Sequence, residues 1–167
     1  MNLNFSIEFY GAKEKARQQR ALDSHVPTNF GNILVSAKNQ EALAKALGAE
    51  SIGGQSPFDV IDTKNKMGIE VKTLVNQKND KLTQHPASWR RKVKEAKKLG
   101  LKNIVTVAFD NRKGKGGQIY YRLGVGSFDL HTMIKVNSLQ QLKSKLDKVH
   151  DAEAFGTSYG SFNVRKK

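Results

Sequence analysis

The run Pro57-Phe58-Asp59-Val60-Ile61-Asp62, a short turn and then Gly68-Ile69-Glu70-Val71-Lys72 constrain the fold of this chain more than any other stretch. Both halves have the composition of a strand, and strand side chains alternate between two faces. Glu70 and Lys72 therefore share one face of the second strand, and Ile69 and Val71 share the other. On the first strand Asp59 and Ile61 face one way, Phe58 and Val60 the other. Thr63-Lys64-Asn65-Lys66 reads as a hairpin with a two-residue loop, in which Asn65 tolerates a positive φ. This register pairs Thr63 with Lys66 and sets Asp59 directly across from Glu70, with Cβ atoms roughly 5 Å apart. Like charges so placed destabilise a hairpin. A divalent cation held between the two carboxylates would give the arrangement a reason. The competing reading makes Glu70 and Lys72 an exposed polar face of an edge strand, and the flanking apolar residues speak against it.

The elements around this hairpin can be placed from periodicity and caps. A helix is predicted over 36–47, with Ser36 or Asn39 as its cap, Leu43 and Leu47 on its apolar face and Gly48 as its end. Residues 49–62, with Gly53-Gly54, form a strand region, and the second strand runs from Met67 to Val75. After a polar loop over 76–85, Pro86 opens a second helix to about Leu99, closed by Gly100. Trp89, Val93 and Ala96 make its buried stripe, and Arg90, Arg91, Lys94, Lys97 and Lys98 cover the rest. Residues 103–110 are β-branched and apolar enough for a central strand. Lys113-Gly114-Lys115-Gly116-Gly117 is a basic turn, without the spacing or Lys-Ser/Thr ending of a phosphate-binding loop. A strand over 118–124 follows, with one of Tyr120 and Tyr121 expected in the core. Ser138 then caps a helix with Leu139, Leu142 and Leu146 on one face. Residues 1–30 read as a basic arm or an edge element, and 151–167 as a flexible tail without periodicity. With no repeat and no linker, the chain is expected to be one mixed α/β domain over 1–167, a central sheet flanked by helices.

Charge decides the class of partner. The 167 residues carry 29 Lys and Arg against 15 Asp and Glu, a net charge of +14, which predicts attraction to polyanions. Nucleic acid comes first and an anionic membrane surface second, and a basic protein that is merely soluble is the bland alternative. The chain has no cysteine, which excludes disulfides and thiolate metal sites and fits a reducing cytosol. No apolar run reaches a membrane span and the first twenty residues lack an apolar signal core, so cytoplasmic residence and no membrane partner are expected.

Pro57-x-Asp59, ten residues, and Glu70-x-Lys72, set behind one helix and ahead of a basic one, resemble the PD-(D/E)XK phosphodiesterase superfamily, with its restriction-endonuclease-like fold. The core of that family is helix, three meandering strands, helix, strand, the order read here over residues 36–110, about half of the chain. The run from Glu70 to Pro86 is also similar to nuclease-like domains attached to phage head-morphogenesis proteins, which would place the protein in a host cytoplasm. The resemblance implies a nuclease acting on DNA more than RNA, with Mg²⁺ or Mn²⁺ as cofactor and a homodimer as an option. Asp59 and Glu70 would bind the metal with the backbone carbonyl of Val71, and Lys72 would orient the attacking water or stabilise charge at the phosphate. Many members add an acid from the first helix, and Glu41 is the only one available between Ser36 and Leu47. Pro57 and Asp59 are separated by Phe58 rather than adjacent, a departure that touches no ligand.

Residues expected to meet nucleic acid are Lys78, Lys81 and Thr83 on the loop leaving the catalytic strand, His85, and Arg90, Arg91 and Lys94 on the basic helix. His85 has a second reading as a helix cap, and Glu41 one as a surface glutamate. Two other functions compete with the nuclease: a non-catalytic nucleic-acid-binding module on the same fold, and an RNA-cleaving toxin domain.

Overall fold

The computed structural model describes residues 27–49 and 58–149, with side chains from residue 34 onward. Helix α1 (Pro27–Leu47) leads into strands β1 (Val60–Asp62), β2 (Met67–Leu74) and β3 (Lys81–Leu82), then helix α2 (Pro86–Lys98). Strands β4 (Asn103–Asp110), β5 (Gln118–Leu123), β6 (Phe128–Asp129) and β7 (Ile134–Val136) follow, and helix α3 (Leu139–Asp147) ends the described part. Five strands form one mixed sheet in the order β1-β2-β4-β5-β7, while β3 and β6 pair separately. Among the described strands of the sheet only β2 and β4 run parallel, joined by a crossover that carries β3 and α2. A parallel pair requires such a crossover, and its helix is what covers the sheet there.

Helices cover both faces, which explains why every residue of β4 is buried. On one face Leu43, Ala44 and Leu47 of α1 and Leu142 and Leu146 of α3 pack on Ile69, Val71, Val105, Val107 and Tyr121. On the other, Val93 and Ala96 of α2 meet Phe58, Ile61 and Ile104, with Trp89 at the margin. Phe58 is fully buried, a contribution of about 2–3 kcal/mol. Its ring lies over Gly68, where a Cβ would stand 2.8 Å from ring carbons, so this position of β2 has room for glycine alone.

Most predicted elements are present, and the departures have local causes. Helix α1 starts at Pro27 rather than Ser36, so Ser36 and Asn39 are interior residues rather than caps. Asn39 instead donates to Thr73 Oγ1 (3.1 Å) and to Asn111 Oδ1 (2.9 Å), tying the helix to the far ends of β2 and β4. The β1–β2 turn has four residues, since Asp62 pairs with Met67, and Lys66 rather than Asn65 takes the positive φ of 55°. The Lys66 carbonyl accepts from the N–H groups of Lys102 (2.7 Å) and Asn103 (3.2 Å), so entry into β4 fixes the turn. Asn65 spends its side-chain amide on Asp62 (2.9 Å) and on Asp147 of α3 (2.8 Å). The segment 76–85, expected as a polar loop, carries the two-residue β3, which pairs with β6 outside the main sheet. The first part of the expected strand region, over 50–57, lies outside the described residues. Phe58 shares the α2 face with Ile61, against the expected alternation. Tyr121 is buried and Tyr120 partly so, each in a different cluster. Pro57, Gly53-Gly54, the basic arm and the tail beyond Val149 lie outside the described residues.

Candidate functional site

The predicted register holds from Val60, which pairs with Ile69, and its continuation sets Asp59 toward Glu70. At Asp59 the backbone leaves that register. Its N–H donates to Ile69 O (3.0 Å), the residue already paired with Val60, a slip in the manner of a β-bulge that also accounts for the turned Phe58. The Asp59 carboxylate then replaces a strand neighbour: Oδ2 accepts from the Val71 N–H at 2.8 Å, and the residue is 7% exposed. The N–H and C=O of one strand residue point to the same edge, so the Val71 carbonyl is directed past the start of β1. Asp59, Glu70, Val71 and Lys72 all line a cavity of about 560 Å³ there.

Glu70 is buried between two lysines. Its Oε2 lies 3.4 Å from Lys72 Nζ, on the cavity side, and its Oε1 lies 3.2 Å from Lys92 Nζ. Lys92 comes from α2, is 4% exposed and lies outside the cavity lining. Its ammonium also donates to Ser88 Oγ (3.2 Å), which accepts from Gln84 Nε2 (2.6 Å). The two carboxylates thus have compensation from the chain itself, a hydrogen bond for Asp59 and two ammonium groups for Glu70. Their proximity alone therefore does not demand a cation, which corrects the sequence argument.

The donor set nevertheless fits a hard divalent ion. Two carboxylates and one backbone carbonyl suit Mg²⁺, which keeps several waters and takes phosphate oxygens as its remaining ligands. Among the described residues no group of three or more His, Cys, Asp or Glu side chains is gathered to hold a metal. Glu41 in particular is half-buried and does not line the cavity. The opposite wall comes instead from Ser36 and Gln40 on α1, Gln40 being 3% exposed. Both continue the Leu43–Leu47 stripe toward the helix start, and that spacing was the sequence signal for them. Lys92 had a similar signal, since it falls inside the Trp89–Val93–Ala96 stripe, where a charge needs a partner.

The remaining wall is Thr73 and the segment Val75–Gln77. A second ion cluster fastens the chain just beyond it. Arg112 donates from Nη1 to Asn79 O (3.0 Å) and from Nη2 to Asp80 Oδ1 (2.6 Å), and grips both carboxylate oxygens of Asp110 at 2.8–2.9 Å. These bonds hold the Asp110 carboxyl below the usual carboxylate range and raise the Arg112 guanidinium.

Of the residues expected to meet nucleic acid, Lys78, Lys81, Thr83, His85, Arg90, Arg91 and Lys94 are all exposed and none lines the cavity. His85 is the N-cap of α2, its Nδ1 accepting from the Ala87 N–H at 3.1 Å. No described helix is long and apolar enough to cross a membrane. Searches against family profiles, curated proteins and solved structures return no match for the chain.

Proposed function

We propose that the chain is a metal-dependent nuclease hydrolysing phosphodiester bonds in DNA, on a restriction-endonuclease-like core. The observation that carries this reading is the meeting of Asp59, Glu70, Val71 and Lys72 on one cavity. Asp59, Glu70 and the Val71 carbonyl would hold Mg²⁺ or Mn²⁺, and the bound ion would supply an acidified water and neutralise charge on the phosphate. Lys72 brings a fixed positive charge to the same cavity, where it stabilises the charge growing on the phosphate oxygens. Gln40 and Ser36 face the acids as uncharged hydrogen-bonding groups, suited to ester oxygens without adding repulsion. Asp59 is held by the Val71 N–H and Glu70 by its lysines, so the acids are in position before substrate arrives.

The net charge of +14 and the exposed Arg90, Arg91 and Lys94 supply attraction for the backbone of the nucleic acid. Affinity for duplex DNA should fall steeply with salt, each neutralised phosphate adding about −0.9 to the log–log slope. Replacing Arg90 and Arg91 with Ala should make that slope shallower.

The test is incubation with supercoiled plasmid, linear duplex, single strands, branched DNA and RNA, each in Mg²⁺, Mn²⁺ or EDTA. DNA cleavage that needs the metal and is lost in Asp59→Ala and Lys72→Ala is expected. Cleavage undiminished by EDTA, or by both substitutions, would overturn the reading, and cleavage of RNA alone would reassign the substrate.

A further inference from the structure

The two lysines on Glu70 differ in every respect that bears on whether they can move. Lys72 lines the cavity with its side chain 28% exposed, and its Nζ stands 3.4 Å from Glu70 Oε2. Lys92 has its side chain 5% exposed, belongs to the buried stripe of α2, and its Nζ stands 3.2 Å from Oε1. Its ammonium is further fixed by Ser88 Oγ, itself held by Gln84, a residue 8% exposed. One oxygen of Glu70 is thus committed to the interior and the other is turned to the cavity.

We propose that these lysines divide the work: Lys92 is a positioning residue that fixes the plane of the Glu70 carboxylate, and Lys72 is an exchangeable counter-ion. This rests on the metal-site reading above and adds to it a residue outside the cavity that sets metal affinity. Groups that orient a ligating carboxylate from behind typically change metal affinity about 10–100-fold when removed. Both ammonium groups draw on the charge of the carboxylate, but Lys72 alone stands on the cavity-side oxygen, where an incoming metal has to displace it, so its presence acts in the opposite sense. The two substitutions are therefore expected to move metal affinity in opposite directions, which loss of a generic surface charge would not do.

The experiment measures Mn²⁺ binding to the whole chain by calorimetry, without nucleic acid, for wild type, Lys72→Met, Lys92→Met, Lys92→Arg and Ser88→Ala. Lys72→Met should bind Mn²⁺ about two- to tenfold more tightly than wild type. Lys92→Met should bind it at least about tenfold more weakly, with Lys92→Arg recovering part of the loss. Equal affinities in Lys72→Met and Lys92→Met, or tighter binding in the latter, would overturn the division. Should Lys92→Met fail to fold by circular dichroism, Ser88→Ala decides: it keeps the charge, removes the anchor and should weaken binding about threefold. Unchanged affinity in Ser88→Ala would then overturn the proposal. A wild type that binds no Mn²⁺ would overturn the metal site as well, so the two failures are told apart by the wild-type isotherm alone.

Discussion

Two buried carboxylates on neighbouring strands, Glu70 on β2 and Asp110 at the end of β4, are each compensated by basic side chains, yet in different ways. Asp110 is gripped by the Arg112 fork through both oxygens at 2.8–2.9 Å, and the same guanidinium reaches Asp80 and Asn79. Glu70 has two lysines at 3.2 and 3.4 Å, one of them on an open cavity. A planar guanidinium matches a carboxylate in two parallel bonds, whereas an ammonium is a point charge on a flexible stem. The first arrangement closes a structure, and the second leaves a carboxylate that can be shared with something else. The comparison separates clamp from site, although both are buried acid–base clusters of one sheet.

Catalysis should break this comparison most visibly. Lys72→Ala and Asp59→Ala are expected to lower the rate of DNA cleavage by about 10²–10⁴-fold, Lys72→Ala with stability nearly kept and Asp59→Ala at a cost of about 1–3 kcal/mol for the Val71 N–H left without its acceptor. Arg112→Ala should leave cleavage per folded molecule close to wild type. Single-turnover rates at saturating metal, normalised to folded protein, check both, and slow cleavage by the Arg112→Ala variant would erase the distinction.

Stability should show the converse. Removing one partner of a buried pair strands the other, so Arg112→Ala should cost about 3 kcal/mol in urea unfolding. Its pH dependence has a fixed sign. The Asp110 carboxyl is depressed in the folded protein by Arg112, so the pair contributes above the unfolded value of about 3.9 and loses its contribution as pH falls through the folded value. The gap between wild type and Arg112→Ala should therefore narrow below about pH 4. A gap that widens on acidification would contradict the clamp.

A smaller effect sharpens the geometry on the site side. Gly68→Ala forces a methyl against the buried Phe58 ring and should cost about 1–3 kcal/mol. Phe58→Leu should relieve part of that in the double variant, and additive losses would mean that the ring does not set the close approach.

How far the sequence anticipated this molecule follows from what each residue depends on. The hairpin, its register from Val60, the α2 stripe and the Ser138 cap were legible because each rests on local alternation, 3.6-residue spacing or a capping hydroxyl. Lys92 was not, although it lies between Trp89 and Val93, because a lysine on a charged helix reads as solvated until its partner on another strand is known. Gln40 was hidden for a related reason: an uncharged amide beside Glu41 carries no mark of a site, and only the Leu43–Leu47 stripe continued toward the helix start points it at the cavity. The turn at Lys66 and the clamp at Arg112 depend on contacts with β4 and with the segment after β2, respectively, which no local pattern encodes.

The central claim, that Asp59 and Glu70 at the cavity take a divalent cation, is tested most directly by thermal unfolding of wild type and Asp59→Asn in EDTA and in Mn²⁺. In EDTA the two should unfold at nearly the same temperature, since an amide oxygen can still accept from the Val71 N–H and Glu70 keeps its lysines. Saturating Mn²⁺ should stabilise wild type by about 2.7 kcal/mol at a hundredfold excess over Kd, and Asp59→Asn much less. An equal metal-induced shift in both proteins would show that Asp59 is not a ligand and would return the acidic pair to the role of an ordinary buried polar contact.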